Sequence, residues 1–148
     1  SALTELLESL AKKIVADGEG AEHLVRIEVG GARTDADAVQ IARAIAGSQL
    51  VKTALYGCDP NWGRILAAAG RSGARFNPDH VSMKIGSVPI FEAGTPVMTP
   101  KTEVKAAATM KRPEYVISIS VGRGRGLGHY WTCDLGHEYV RINADYRT

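Results

Sequence analysis

The amino-acid sequence predicts an α/β fold, a layered α/β sandwich built on a mixed sheet. Apolar residues recur every three or four positions in some segments, as in helices, and every second position in others, as in strands. The two kinds of segment alternate along the chain, and a hairpin pattern occurs in the second half. Because the 148 residues contain no linker or internal repeat, we expect a single domain over residues 1–148.

Five segments are predicted to be helical: residues 2–17, the stretch between Thr34 and Gly47, and residues 62–69, 100–110 and 139–143. Residues that favour helix ends support three of them. Thr34 is a suitable N-cap, and Gly47 stands where a glycine commonly ends a helix. The pairs Asp59-Pro60 and Thr99-Pro100 each place a capping residue before a proline at the first helical position. Residues 50–56 fit either a strand or a further helical turn.

The strand predictions depend on alternation and on β-branched and aromatic residues. The segments are residues 25–29, 81–85, 88–91, 115–121 and 128–135. Gly86-Ser87 separates the second from the third and indicates a hairpin. Pro89 lacks a backbone N–H, so we expect the second arm of that hairpin at a sheet edge.

Composition and charge exclude several classes of protein. The net charge is +2, too small to attract nucleic acid or an anionic membrane strongly, so neither is expected as a partner. No apolar run approaches the roughly 20 residues that span a bilayer, and residue 1 opens onto a helix rather than an export signal, so we expect a cytoplasmic protein. Cys58 and Cys133 are too few for a disulfide framework and are expected to be reduced, half-buried and not nucleophilic.

Two segments are unusual enough to be candidates for chemistry. Residues 17–21, DGEGA, combine acids that can pair with an amine and glycines that allow a close backbone approach, although they also fit a solvated acidic turn. Residues 56–64, YGCDPNWGR, fit either a helix cap with a packed Trp62 or an active-site wall formed by Asn61 and Arg64.

Two other segments carry weaker signals. In residues 122–128 glycines alternate with Arg123, Arg125 and Leu127; the spacing is wrong for a dinucleotide motif, and we interpret it as a flexible, solvated connection rather than an RNA contact. The second signal is a four-residue spacing of possible metal ligands: His129, Cys133 and His137. Four strand residues extend about 13 Å, which is too far for one zinc ion, so no metal site is predicted. His23 and His80 are expected to be ordinary surface residues.

Four strings in this order carry a resemblance over essentially the whole chain: DGEGA, SQLVKTALYGCDPNWGRILAAAG, YWTCDL and INADYRT. They closely resemble the ornithine acetyltransferases, also called bifunctional glutamate N-acetyltransferases. The family fold agrees with the α/β sandwich predicted above. The resemblance makes the chain the carboxy-terminal portion of the β subunit and implies an autocatalytically cleaved precursor and an α₂β₂ heterotetramer.

The resemblance also implies the chemistry of arginine biosynthesis. A threonine that begins the β subunit would attack N-acetylornithine, α-subunit donors would stabilise the oxyanion, and glutamate would accept the acetyl group. That threonine lies upstream of this chain, so no catalytic residue is expected here and the chain alone should be inactive. Substrate contacts would come from Glu19, Asn143 and Thr148. No cofactor is expected, although acetyl-CoA is a substrate of some members.

The sequence departs from the family pattern at several positions. The upstream nucleophile segment is absent, Glu22-His23 replace Thr-Lys after DGEGA, and Gly136 replaces a capping threonine. These changes leave open substrate preference and the use of acetyl-CoA. The alternatives to an acetyltransferase portion are a non-catalytic binding domain derived from the family and an RNA-binding module using Arg123 and Arg125.

Overall fold

The computed structural model describes residues 1–18 and 20–146. Within them are six α-helices: α1 (Ala2–Ala16), α2 (Asp35–Ala46), α3 (Gln49–Tyr56), α4 (Trp62–Gly70), α5 (Pro100–Met110) and α6 (His137–Asp145). The described strands are β1 (Leu24–Ala32), β2 (Ser82–Ile85), β3 (Val88–Glu92), β4 (Thr95–Pro96), β5 (Glu114–Ser120) and β6 (Gly126–Cys133). A 3₁₀ turn covers Pro78–His80. None of the described helices is long and apolar enough to cross a membrane.

The strands form one mixed sheet in the order β4-β3-β2-β5-β1-β6. β1 pairs in parallel with β5 and antiparallel with β6, and the remaining pairs are antiparallel. The predicted α/β class with a mixed sheet is therefore confirmed. β3 is not the outermost strand, because two-residue β4 pairs with its end at Phe91 and Glu92; the stretch around Pro89 lies beyond that pairing.

The main core lies between one sheet face and the helices α2 and α5. Alternate residues of β1 and β5 point toward it, and α2 contributes its apolar stripe. Its fully buried members include Val25, Ile27, Ile41, Ile45, Ile117 and Ile119. Thr34 caps α2 as predicted, and Thr99 caps α5 in a reciprocal arrangement with Thr102.

Helix α1 occupies the other face of the sheet and contacts it with its polar side. Lys12 Nζ lies 2.8 Å from Glu114 Oε1 and 4.6 Å from the centre of the Trp131 ring, and the Trp131 indole N–H donates to Glu8 at 3.4 Å. The apolar residues that recur at helical spacing in this segment point away from the sheet, with the exception of Val15, which is half-buried. The apolar face of α1 consists of Leu3, Leu6, Leu7, Leu10 and Ile14, each between 46% and 75% exposed.

The glycine-rich segment over residues 122–128 is exposed at residues 123–125 and 127, as predicted for a solvated connection, but its backbone packs closely against β1. The Leu127 N–H donates to the Asp35 carboxylate at 2.9 Å. A Cβ added at Gly124 would lie 1.9 Å from the Ala32 carbonyl oxygen. Glycine is therefore required here for close backbone approach rather than for mobility.

Candidate functional site

The DGEGA loop turns sharply between α1 and β1. The Ala21 N–H donates to the Gly18 carbonyl at 3.1 Å, and Gly20 has φ +69°. This left-handed conformation is one that glycine adopts without strain. A Cβ at Gly20 would lie only 2.7 Å from the Glu138 Cβ, so the loop contacts the first turn of α6 directly.

Of the three predicted substrate contacts, Asn143 is in the described part of the chain. It lies near the end of α6, is exposed, and its side-chain amide donates to the Tyr139 carbonyl at 2.8 Å. Asn143 is five residues beyond Glu138 on the same helix, a rise of about 8 Å. Glu19 and Thr148 lie outside the described residues.

Asp134 links the DGEGA loop to the end of β6, a role that the sequence analysis did not identify. Its side chain is 3% exposed, and its Oδ1 accepts hydrogen bonds from the backbone N–H groups of Glu22 at 2.8 Å and His23 at 2.9 Å. Its Oδ2 is buried and has no hydrogen-bond partner among the described residues. The available signal was an acid near the end of a predicted strand, inside the YWTCDL string.

His23 is buried, at 9% exposed, so the prediction of a surface residue is wrong for it. Its Nδ1 lies 2.9 Å from the Arg112 carbonyl oxygen, to which a protonated Nδ1 donates, and its ring meets the edge of Tyr115. The physical reason is the alternation of β1, which continues one step before the strand begins. His80 is exposed, as predicted.

Burial also changes the pKa of two nearby groups, the Tyr115 hydroxyl and the Cys58 thiol. Burial raises the pKa of the Tyr115 hydroxyl, with smaller contributions from Cys58 and Asp134, so the hydroxyl remains protonated at neutral pH. Burial likewise raises the pKa of the Cys58 thiol, against an opposing effect of Lys111. A thiol that is less ionised is a weaker nucleophile, in agreement with the prediction for Cys58. Both cysteines are free and half-buried.

Among the described residues, one group of side chains could hold a cation. Ligand atoms of Glu22, His23 and Asp134 lie within 4.8 Å of one another. The polar atoms Asp134 Oδ1 and His23 Nδ1 already bind backbone groups. The absence of a metal cofactor remains a prediction.

The segment over residues 56–64 serves helix ends and packing. The N-cap of α4 is Asn61 rather than the predicted Asp59; its side chain accepts from the Arg64 N–H, and Asp59 in turn accepts from the Asn61 amide. The Arg64 guanidinium donates to the Leu50 carbonyl at 3.0 Å, and Trp62 stacks on Phe91 at 5.1 Å between ring centres. These contacts favour the helix-cap interpretation over an active-site wall.

The mixed sheet, its helical layer and the contact between a glycine-rich acidic loop and the last helix define a layered α/β protein with a candidate ligand site at one end of the sheet. The model of the ArgJ family matches residues 1–148. The chain therefore belongs to the ArgJ family.

Individual relatives agree over almost the whole chain. The arginine biosynthesis bifunctional protein ArgJ of Parasynechococcus marenigrum (strain WH8102) is 50% identical over 147 residues, 99% of this chain and 35% of the relative. The protein of the same name from Geobacillus stearothermophilus is 48% identical over the same shares. This chain thus spans about a third of the length of the curated relatives it matches.

A solved structure gives the same fold. The crystal structure of the arginine biosynthesis bifunctional protein ArgJ from Bacillus halodurans is 44% identical with a TM-score of 0.93. The match covers 98% of this chain and 68% of that chain.

Proposed function

We propose that this chain is the carboxy-terminal portion of the β subunit of an acetyltransferase that moves an acetyl group from N-acetylornithine to glutamate in arginine biosynthesis. The family membership and the name of the relatives support a place in arginine biosynthesis. That name, "bifunctional", also supports a second activity in which acetyl-CoA acetylates glutamate. In this proposal acetyl-CoA is a substrate, the enzyme needs no cofactor, and it acts in the cytoplasm.

The observation that carries the site proposal is the contact between the DGEGA loop and α6. Gly20 lies against Glu138, and Asn143 follows on the same helix. The loop of the string DGEGA therefore touches the helix that carries Asn143, although the two are far apart in sequence. The proposal places Glu19 and Thr148, together with Asn143, around one amino-acid substrate.

The chemistry of the substrates suits these residue types. N-acetylornithine and glutamate each carry a carboxylate and an amine, and N-acetylornithine also carries an amide. The site therefore needs an anionic partner for the amine and neutral hydrogen-bonding groups for the other groups. Glu19 supplies the anion, Asn143 supplies a donor and an acceptor, and Thr148 supplies a hydroxyl. The threonine hydroxyl outside this chain attacks the acetyl carbonyl and ornithine leaves with a proton; the glutamate amine then attacks the acetyl-threonine and frees the hydroxyl.

An assay of reconstituted protein tests this function. Alone, the chain should show no transfer from N-acetylornithine to glutamate; combined with the α subunit and the rest of the β subunit, it should restore transfer. Turnover by the chain alone would contradict a nucleophile outside it. A folded complete assembly with no transfer would favour the non-catalytic binding domain.

The proposed partners are the α subunit and the remainder of the β subunit in an α₂β₂ assembly. Two uncovered surfaces support an extensive contact with them. One is the apolar face of α1, defined by its five exposed aliphatic residues. The other is the adjoining sheet face, where an open cavity of about 870 Å³ is lined by residues that include Arg26, Lys84 and Ser118. The face of α1 is apolar, and monomeric proteins rarely leave a large apolar patch exposed.

The apolar face of α1 should make the isolated chain self-associate. Leu6→Lys combined with Leu10→Lys places two charges on this face, so we expect the weight-average mass in sedimentation equilibrium to fall toward that of a monomer. Ser9→Lys is the matched control, because Ser9 is exposed and lies outside the apolar stripe. Equal masses for the wild type and the double variant would remove α1 from the contact.

A further inference from the structure

Asp134 lies where the β1–β6 ladder ends. Leu24 pairs with Cys133, and the next potential pair is His23 with Asp134, whose backbone N–H lies 3.4 Å from the His23 carbonyl oxygen. The Asp134 carboxylate continues the pairing by accepting from two consecutive N–H groups, those of Glu22 and His23. At the junction between the DGEGA loop and β1, the Asp134 side chain thus accepts hydrogen bonds in place of a backbone carbonyl.

The two hydrogen bonds matter because the Asp134 carboxylate is buried. At 3% exposure, Asp134 has lost most of its contact with water, and a buried carboxylate is costly unless donors compensate it. Hydrogen bonds to a charged acceptor are also shorter and stronger than those between neutral groups. Both distances, 2.8 and 2.9 Å, are in the range of such bonds.

The same segment fixes the loop at further points. A Cβ at Gly18 would lie 3.1 Å from the Cys133 Sγ, and Gly20 contacts Glu138. Residues on both sides of position 19 are therefore held against residues 133–138, and Asp134 supplies the hydrogen bonds of that contact. Loss of the Asp134 carboxylate would release Glu22 and His23, which connect the loop to β1, while leaving the core of the sheet intact.

We infer that Asp134 is a positioning residue, which fixes residues 20–23 beside the first turn of α6 so that the loop and the helix bind one amino-acid substrate together. Resting on the proposed function, the inference adds a residue that touches no substrate itself. Asp134→Ala removes the acceptor. Asp134→Asn keeps an oxygen that can accept from both N–H groups, so it should rescue the position of the loop.

Hydrogen exchange in the chain itself tests the positioning. In Asp134→Ala, the amides of Glu22 and His23 should exchange at least about tenfold faster, whereas the amide of Ile117 in the central strand β5 should keep its rate. Asp134→Asn should remain within about threefold of the wild type. Unchanged protection of the two amides in Asp134→Ala, or an equal loss of protection at Ile117, would overturn the inference.

Steady-state kinetics of the complete enzyme then test the link to substrate. Asp134→Ala should raise KM for both amino-acid substrates by about tenfold or more while kcat changes less than about threefold, since the loop contributes binding rather than the nucleophile. Thr132→Val is the matched control. Thr132 is buried on the same strand, and its hydroxyl donates to the Ala46 carbonyl at 2.7 Å rather than bonding a backbone group of the loop, so its loss should leave KM unchanged.

The two proposals fail in different ways. An inactive wild-type enzyme with the expected exchange pattern would reject the acetyltransferase function, and the inference with it, while leaving the hydrogen bonds in place. An active wild type in which Asp134→Ala keeps its KM would reject the positioning role alone. An equal rise of KM in Thr132→Val would show that general destabilisation, not loop position, governs KM.

Discussion

Replacing Gly124 with alanine is expected to lower the free energy of unfolding by about 3 kcal/mol, at the upper end of the usual cost of overpacking. The added Cβ would lie 1.9 Å from the Ala32 carbonyl oxygen and 2.6 Å from its carbon. Both atoms belong to the backbone of a central strand, so no side chain can rotate away to make room. Urea unfolding monitored by tryptophan fluorescence measures the change.

Gly70→Ala is the matched control for Gly124. Gly70 is the last residue of α4, and an added Cβ there would meet no atom within 4 Å. Because alanine favours helices more than glycine does, this variant should be as stable as the wild type or more stable. Equal stability of the two variants would mean that the segment before β6 tolerates side chains and does not approach Ala32 closely.

Glu19→Ala in the complete enzyme is expected to lower kcat/KM for N-acetylornithine by about 100-fold or more, because a substrate ammonium loses its anionic partner. Initial rates over a range of substrate concentrations measure the effect. Glu19 lies outside the described residues, and its role is a prediction from the family resemblance.

Two further variants make the Glu19 experiment specific. Glu19→Gln keeps the shape of the side chain but removes its charge, so activity close to that of Glu19→Ala would identify the charge as the main contribution. Glu103→Gln removes an exposed acid on α5, outside the candidate site, and should change kcat/KM less than about threefold. A wild-type kcat/KM in Glu19→Ala would exclude Glu19 from the site.

Local patterns predicted most of the secondary structure of this chain. The predicted helices and strands are present, with ends shifted by a few residues, because apolar periodicity and capping residues act over short distances. Residues 50–56, which fitted two structures, form α3 with Ser48 as its N-cap. At the start of α4, the predicted cap Asp59 was wrong, because the Asn61 side chain accepts from the Arg64 N–H instead.

The missed features depend on contacts between distant segments. Apolar spacing in α1 indicated a helical face, but nothing in that spacing showed that Glu8 and Lys12 would face the sheet instead. The glycines before β6 suggested mobility, although the backbone of β1 lies against them.

The candidate site shows the same limit. The family resemblance selected the loop and the carboxy-terminal string, and the contact of Gly20 with Glu138 places the loop against the first turn of the helix that carries Asn143. The sequence could not identify Asp134 as part of the candidate site, because its role depends on burial and on two N–H groups more than a hundred residues away.

The position of β1 in the sheet affects how the polypeptide must fold as it leaves the ribosome. Both neighbours of β1, the strands β5 and β6, follow it by more than eighty residues in the chain. The hydrogen-bonding groups on the two edges of β1 therefore stay unpaired while those residues are synthesised, and such non-local pairing is slow. During that interval a strand rich in valine and isoleucine is open to aggregation, so newly made chains should depend on chaperones until β5 and β6 have been synthesised.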